Sequence, residues 1–270
     1  MLAYGLFTNF TVSVRMPYVV REDIREGHHS HAHGGGAVND VERRGNTSGI
    51  GDLTFMGQYR FLDNRSTGTE AALLFGVKAP TGASNEVDVN GARFEAEFQP
   101  GSGSWDGLFG FAVSQSFAAI SLHASGLYTI VTEGTQRTDL GDRFHYGVAV
   151  SYRLGETSTQ APMYAGAHRH AGEHQAGNPA PHAHPSAAPT PTLAVDLILE
   201  LNGEWSDQQD VAGVRDANSG GHTLYLSPGI RISHDTVSAF ASVGVPVVND
   251  LNGFQAEPDW RLLTGLAVAF

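Results

Sequence analysis

The chain has 270 residues, no cysteine and a formal net charge of −12. Disulfide frameworks and thiolate metal sites are excluded by the first count, and a nucleic-acid partner, which needs a basic surface, by the second. No apolar run approaches the ~20 residues of a membrane helix, so any crossing of a bilayer has to be made by strands.

A period of two recurs along the chain, the spacing of strands whose side chains alternate between two faces. Ten segments carry it. The first is Tyr4 to Tyr18, with Leu6, Phe10, Val12, Val14 and Met16 opposite Asn9, Thr11, Ser13 and Arg15. A long connection, Val19 to Gly49, leads to Ile50 to Leu62. A short one, Asp63 to Thr69, leads to Glu70 to Ala79. Pro80 to Gly103 is long again, and Ser104 to Gln115 and Ala118 to Val131 follow as a tightly linked pair. The cleanest alternation is in Asp142 to Leu154 and Leu193 to Trp205. Gly221 to Ser233, Thr236 to Val247 and Asp259 to Phe270 complete the set.

These segments run to about 10 to 13 residues. Soluble strands cluster at about 5 or 6, and a bilayer-spanning strand needs about 9 to 11. Aromatics gather near strand ends (Trp105, Tyr152, Trp205, Trp260), as in the girdles of membrane barrels. Long and short connections alternate, as long outer loops alternate with short periplasmic turns. The reading is an all-β, transmembrane, antiparallel up-and-down β-barrel, a single domain over residues 1–270 with about ten strands visible. Gly155 to Thr192 breaks the alternation: rich in Pro, Ala, Gly and His, it reads as a disordered insertion within the barrel. Strand parity places it in the periplasm. The chain as given opens without a signal peptide.

Several stretches resemble the family of outer-membrane transporters associated with the meta-cleavage pathway of phenol degradation. They are YGLFTNFTVSVRMPYV near the start, GIGDLTFMGQYRFL at Gly49 to Leu62, VKAPTG at Val77 to Gly82, PGSGSWDGLFGFAVSQSF at Pro100 to Phe117, LYLSPGIRI at Leu224 to Ile232 and the final strand. The resemblance implies a β-barrel of the Gram-negative outer membrane that passes small, often aromatic or hydrophobic solutes. It also implies a signal peptide and at least one further strand upstream, hence twelve strands in a full-length chain. The terminal aromatic, Phe270, looks like the residue that the barrel assembly machinery reads. The expected partners are outer-membrane lipid, that machinery and a small-molecule solute, with no nucleic acid.

On the polar faces, Arg60, Lys78, His123, Arg143, His145, Arg153, Asp196, Glu200 and Arg231 are candidate pore-lining residues, because rings of charge tune which solutes pass. The alternative is a narrow interior merely filled with paired polar side chains. Nine histidines fall in two connections: His28, His29, His31 and His33 in the first, and His168, His170, His174, His182 and His184 in the insertion. Imidazole-rich tracts are compositional candidates for weak capture of zinc, copper or nickel. No cofactor is required by any motif. No GxSxG elbow or other nucleophile set is present, so the reading is not an enzyme. The rival function is a metal-binding outer-membrane protein that uses its His-rich loops, with the barrel as anchor.

Overall fold

The computed structural model describes residues 1–30, 38–154 and 193–269, with the backbone alone over 26–30 and 38–41. In chain order the strands are β1 (Leu2–Phe7), β2 (Phe10–Arg15), β3 (Tyr18–Ser30), β4 (Val38–Ile50), β5 (Leu53–Asn64), β6 (Thr69–Ala79), β7 (Asp106–Phe117) and β8 (Ile120–Ile130). They continue with β9 (Thr138–Asp139), β10 (Arg143–Leu154), β11 (Leu193–Ser206), β12 (Asp210–Val211), β13 (Val214–Arg215), β14 (Gly221–His234), β15 (Val237–Leu251) and β16 (Arg261–Val268).

Eleven of them form one sheet, in the order β1-β2-β5-β6-β7-β8-β10-β11-β14-β15-β16. Every neighbouring pair is antiparallel, which is the up-and-down arrangement of a barrel. Two-residue turns close β7 to β8 and β14 to β15. Ala118 and Asp235 there take φ of 46° and 53°, which confines the choice at those positions. Eleven is odd, so β1 and β16 run in the same direction, and no ladder joins them among the described residues. Antiparallel closure takes an odd number of further strands between those two edges.

Two expectations are corrected. The segment Tyr4 to Tyr18 is not one strand: Thr8 and Asn9 turn the chain between β1 and β2, which pair with each other. The long connection Val19 to Gly49 is largely a hairpin, β3 paired with β4 in a sheet of its own. The sequence of β3 and β4 carries no alternating apolar row, and the hairpin is not part of the barrel sheet. The insertion Gly155 to Thr192 and Phe270 lie outside the described residues.

Side chains are distributed inside out relative to a soluble protein. Val148, Val150, Leu197 and Leu199 are 52%, 39%, 45% and 45% exposed, whereas Asp196, Ser151 and Ser227 on the other face are 1%, 3% and 0% exposed. A soluble barrel hides the apolar row and wets the polar one; a barrel in lipid does the reverse. The interior of the sheet is therefore its polar face. At the end of the sheet bearing the long connections, the β3–β4 hairpin packs on the loop 80–103. Arg21 donates to the carbonyls of Phe98 and Gln99 at 3.4 and 3.2 Å, and Arg44 pairs with the buried Asp88 at 3.1 Å. Phe94 is fully buried at the centre of that loop. Gln136 reaches the Phe94 carbonyl at 2.9 Å, tying the loop to the β8–β10 connection.

Candidate functional site

Following the registers from β5 to β14 puts all nine candidate pore residues on the same interior face. Arg60 opposes Ala72, Lys78 opposes Asp106, and His123, Ala149, Glu200 and Ser227 form one row across four strands. They do not gather in one place. Three groups occur at different heights.

At the long-loop end, three of the quoted motifs converge. Asp52 of GIGD accepts from the Gly82 amide at 2.9 Å and from the amide and hydroxyl of Ser102, both at 2.8 Å. Lys78 of VKAPTG forms a short ion pair with Asp106 of the PGSGSWDG stretch. Its ammonium lies 3.5 Å from Asp52 and donates to Ser102 Oγ at 2.6 Å. Ser104 donates to the other Asp106 oxygen at 2.8 Å. Glycine is required because three backbones meet: a Cβ on Gly82 would sit 2.7 Å from the Gly51 carbonyl carbon and 2.8 Å from Gly101 Cα. Both carboxylates are buried, and every charge has a partner, so the group is a clasp that holds β5, β6 and β7 and their loops together.

At the tight-turn end, Arg153, Asp196 and Arg231 stand directly opposite one another on β10, β11 and β14. Arg153 donates to Asp196 through Nε at 2.8 Å and Nη2 at 3.2 Å; Arg231 donates through Nε at 3.0 Å and Nη2 at 2.7 Å. Two guanidiniums share one carboxylate, so the row carries a net positive charge. On the neighbouring part of the same end, Arg60 reaches Asp63 at 3.3 Å and Glu70 at 3.5 Å.

Between these levels the interior is mixed. His123 has both ring nitrogens buried without a hydrogen-bond partner among the described residues. Met56, Leu74, Leu108, Leu127 and Ile198 share the interior face with the charged residues, by the same registers. Towards the long-loop end His145 faces Glu204 at 3.8 Å, and both side chains are nearly half exposed. Arg15, Tyr225 and Arg261 also lie on this face, although sequence reasoning left them out of the pore list. Alternation alone puts Arg15 and Arg261 on the polar face, whereas a tyrosine reads as apolar.

On the outer face, Phe144, Tyr146 and His222 stack at centroid distances of 5.6 and 6.0 Å, and the Tyr146 hydroxyl meets His222 Nε2 at 2.8 Å. Trp205 is the cross-strand partner of both Phe144 and His222. Such amphipathic rings mark the boundary between lipid and water. Tyr146 lies over Gly203, where any Cβ would collide with its ring.

The metal candidates stand apart from this. His31, His33, His168, His170, His174, His182 and His184 are outside the described residues, and His28 and His29 are placed by backbone only, in β3. Among the described residues no three His, Asp or Glu side chains are grouped to hold a metal ion.

With this geometry in hand, comparison with known proteins is decisive for the family. Residues 7–187 match the model of the family described as "Putative MetA-pathway of phenol degradation". The chain belongs to that family. In this chain GIGD, VKAPTG and PGSGSWDG, all within the matched residues, form one structural unit through the clasp. Among solved structures the chain is similar to an outer-membrane channel of Pseudomonas putida F1, at a TM-score of 0.57 and 14% identity, over 98% of this chain and 80% of that one. At that identity the likeness speaks to the fold, an all-β barrel.

Proposed function

We propose that the protein is a channel of the bacterial outer membrane that passes small solutes, aromatic and hydrophobic compounds among them. The observation that carries the reading is the inverted side-chain distribution, apolar rows outward and charged rows inward, over the 12 and 14 residues of β10 and β11. Lipid supplies the partner for the outer face, and an interior with charged levels separated by Met56, Leu74 and Ile198 suits solutes with an apolar body. The tight-turn end then faces the periplasm, and the β3–β4 hairpin and its loops face outward. The nine interior candidates, Arg60 to Arg231, are proposed to tune passage through the field they create.

Liposome swelling and planar-bilayer conductance of the purified full chain test this. Discrete conductance steps and uptake of small solutes are expected. A folded barrel that gives neither, while binding zinc or copper tightly, would replace the channel with a metal-capturing surface protein built on the histidine tracts.

A further inference from the structure

The connection between β6 and β7, Pro80 to Trp105, is well past the ~12–15 residues beyond which an irregular loop usually has a task. It keeps a fixed shape. Phe94, Ala96 and Gln99 are buried in it. Gln99 spends its whole amide inside the loop: Nε2 donates to the carbonyls of Phe94 and Glu86 at 2.8 and 3.0 Å, and Oε1 accepts from the Glu86 amide at 2.9 Å. The base of the loop is equally firm, because Asp52 of the clasp holds Gly82 and Ser102.

At its far end the loop touches elements that leave the wall at widely separated points. Glu97 and Phe98 are adjacent residues of the 3-10 turn Ala96–Phe98. The carbonyls of Phe98 and of Gln99 after it accept from Arg21 of β3, and the Glu97 carboxylate accepts from the Gln209 side-chain amide. Arg21 stands in the hairpin that leaves the wall between β2 and β5. Gln209 stands just past the end of β11, in the connection to β14. Six strands separate those two points, β5, β6, β7, β8, β10 and β11, which is roughly 29 Å of wall at ~4.8 Å per strand. One turn meets both because it lies between them, over the open end of the curled sheet. The β8–β10 connection holds the loop from a third direction, through Gln136 to the Phe94 carbonyl and through Thr135 Oγ1, which accepts from Arg93.

We propose that the turn Ala96–Phe98 is a fixed strap across the external mouth and sets the size limit for solutes. The proposal rests on the channel reading and names the element that selects. The width and lining of the narrowest point decide what a pore passes. A loop tethered by separate elements on three sides does not swing clear as a mobile lid does, so the limit it sets is constant. The charged rows lower down then act only on solutes that the strap has admitted.

The chain has no cysteine, so Glu97→Cys carries a unique thiol. In a planar bilayer, thiosulfonate reagents of increasing bulk should lower the conductance of this variant stepwise, by at least half for the largest adduct confirmed by mass spectrometry. Dithiothreitol should restore it. Replacing Glu86–Gln99 with a short Gly-Ser link keeps Gly82, Gly101 and Ser102 and removes the strap. Single-channel conductance should then rise at least threefold, and liposomes should admit raffinose, a trisaccharide that the parent excludes. If the strapless chain does not fold, as read by heat-modifiable migration on gels, the thiol experiment decides. A conducting parent that admits raffinose, or a conductance indifferent to the bulkiest adduct or to removal of the strap, overturns the strap and leaves the channel standing. A silent parent that conducts once the strap is removed supports it, with a limit below the size of hydrated ions. Parent and strapless chains both folded and both silent defeat the channel, and the strap with it.

Discussion

Two groups of charged residues line the same sheet face and behave as opposites. Around β5, β6 and β7, Lys78 is shared by Asp52 and Asp106, the serines fill the remaining valences, and three glycines let the backbones touch. Around β10, β14 and β16, among the described residues, Arg143 and Arg261 form no ion pair with a carboxylate, and the buried Ser227 hydroxyl has no hydrogen-bond partner. A buried charge is tolerated when its partners are present and is costly without them. The first group spends its charges on cohesion; in the second the arginines stand without a carboxylate. Residue type alone does not separate structural from functional charge on such a wall. Whether each valence is filled does.

The clasp side should break hardest. Lys78→Ala leaves two buried carboxylates without their cation and should cost about 3–5 kcal/mol. The reading is a lower urea midpoint in lipid vesicles, together with loss of heat-modifiable migration on gels. A variant as stable as the parent would mean that the clasp is ornamental.

The inside-out assignment comes next. Leu199 faces outward near mid-strand, and Leu199→Arg should cost about 2–4 kcal/mol in a bilayer. Glu200→Leu, one residue on but facing inward, should change the urea midpoint far less. The reverse ranking would exchange interior and exterior throughout.

A smaller effect is expected where packing is tight but no charge is buried. Gly203→Ala drives a methyl into the Tyr146 ring and should destabilise by about 1–3 kcal/mol. Tyr146→Ala in the same chain should recover most of that loss, since the collision goes with the ring; a double-mutant cycle reads the coupling. Smallest of all, Arg15→Gln should leave the unfolding midpoint where it was, because among the described residues it pairs with no carboxylate. Its effect should be on ion selectivity, read as the reversal potential in a KCl gradient.

Much of the fold was legible because the membrane imposes a strict rule on each strand. β10 alternates without a fault and β11 with one, the inward Ile198, and their ends fall within a residue or two of the alternating segments. The β1–β2 turn was hidden because Thr8-Asn9 lacks the glycine that announces a two-residue hairpin, and apolar residues continue on both sides of it. The β3–β4 hairpin was hidden for the opposite reason. Strands such as YVVREDIREGHHS lie outside the barrel sheet and carry charge on both faces, so period two has nothing to mark. The interior face of Arg60, Lys78, Asp196 and Arg231 could be read from alternation. Which charges pair could not, because Arg153, Asp196 and Arg231 are separated by the insertion and a loop, and only the register sets them opposite one another.

The aromatic belt at Phe144, Tyr146 and Trp205 also fixes a length. From Phe144 to Leu154 the outward residues of β10 span ten steps of strand. At ~3.4 Å per step and a tilt of ~40°, that is roughly 26 Å along the barrel axis. An average bilayer has a hydrocarbon core of about 30 Å, and the bacterial outer membrane is thinner than average. The apolar height of β10 is thus shorter than the core of an average bilayer. In thicker vesicles the lipid around it would have to compress, a strain that grows with every ångström of acyl chain and that Tyr146 and His222, anchored over Gly203, would transmit to the strands rather than relieve.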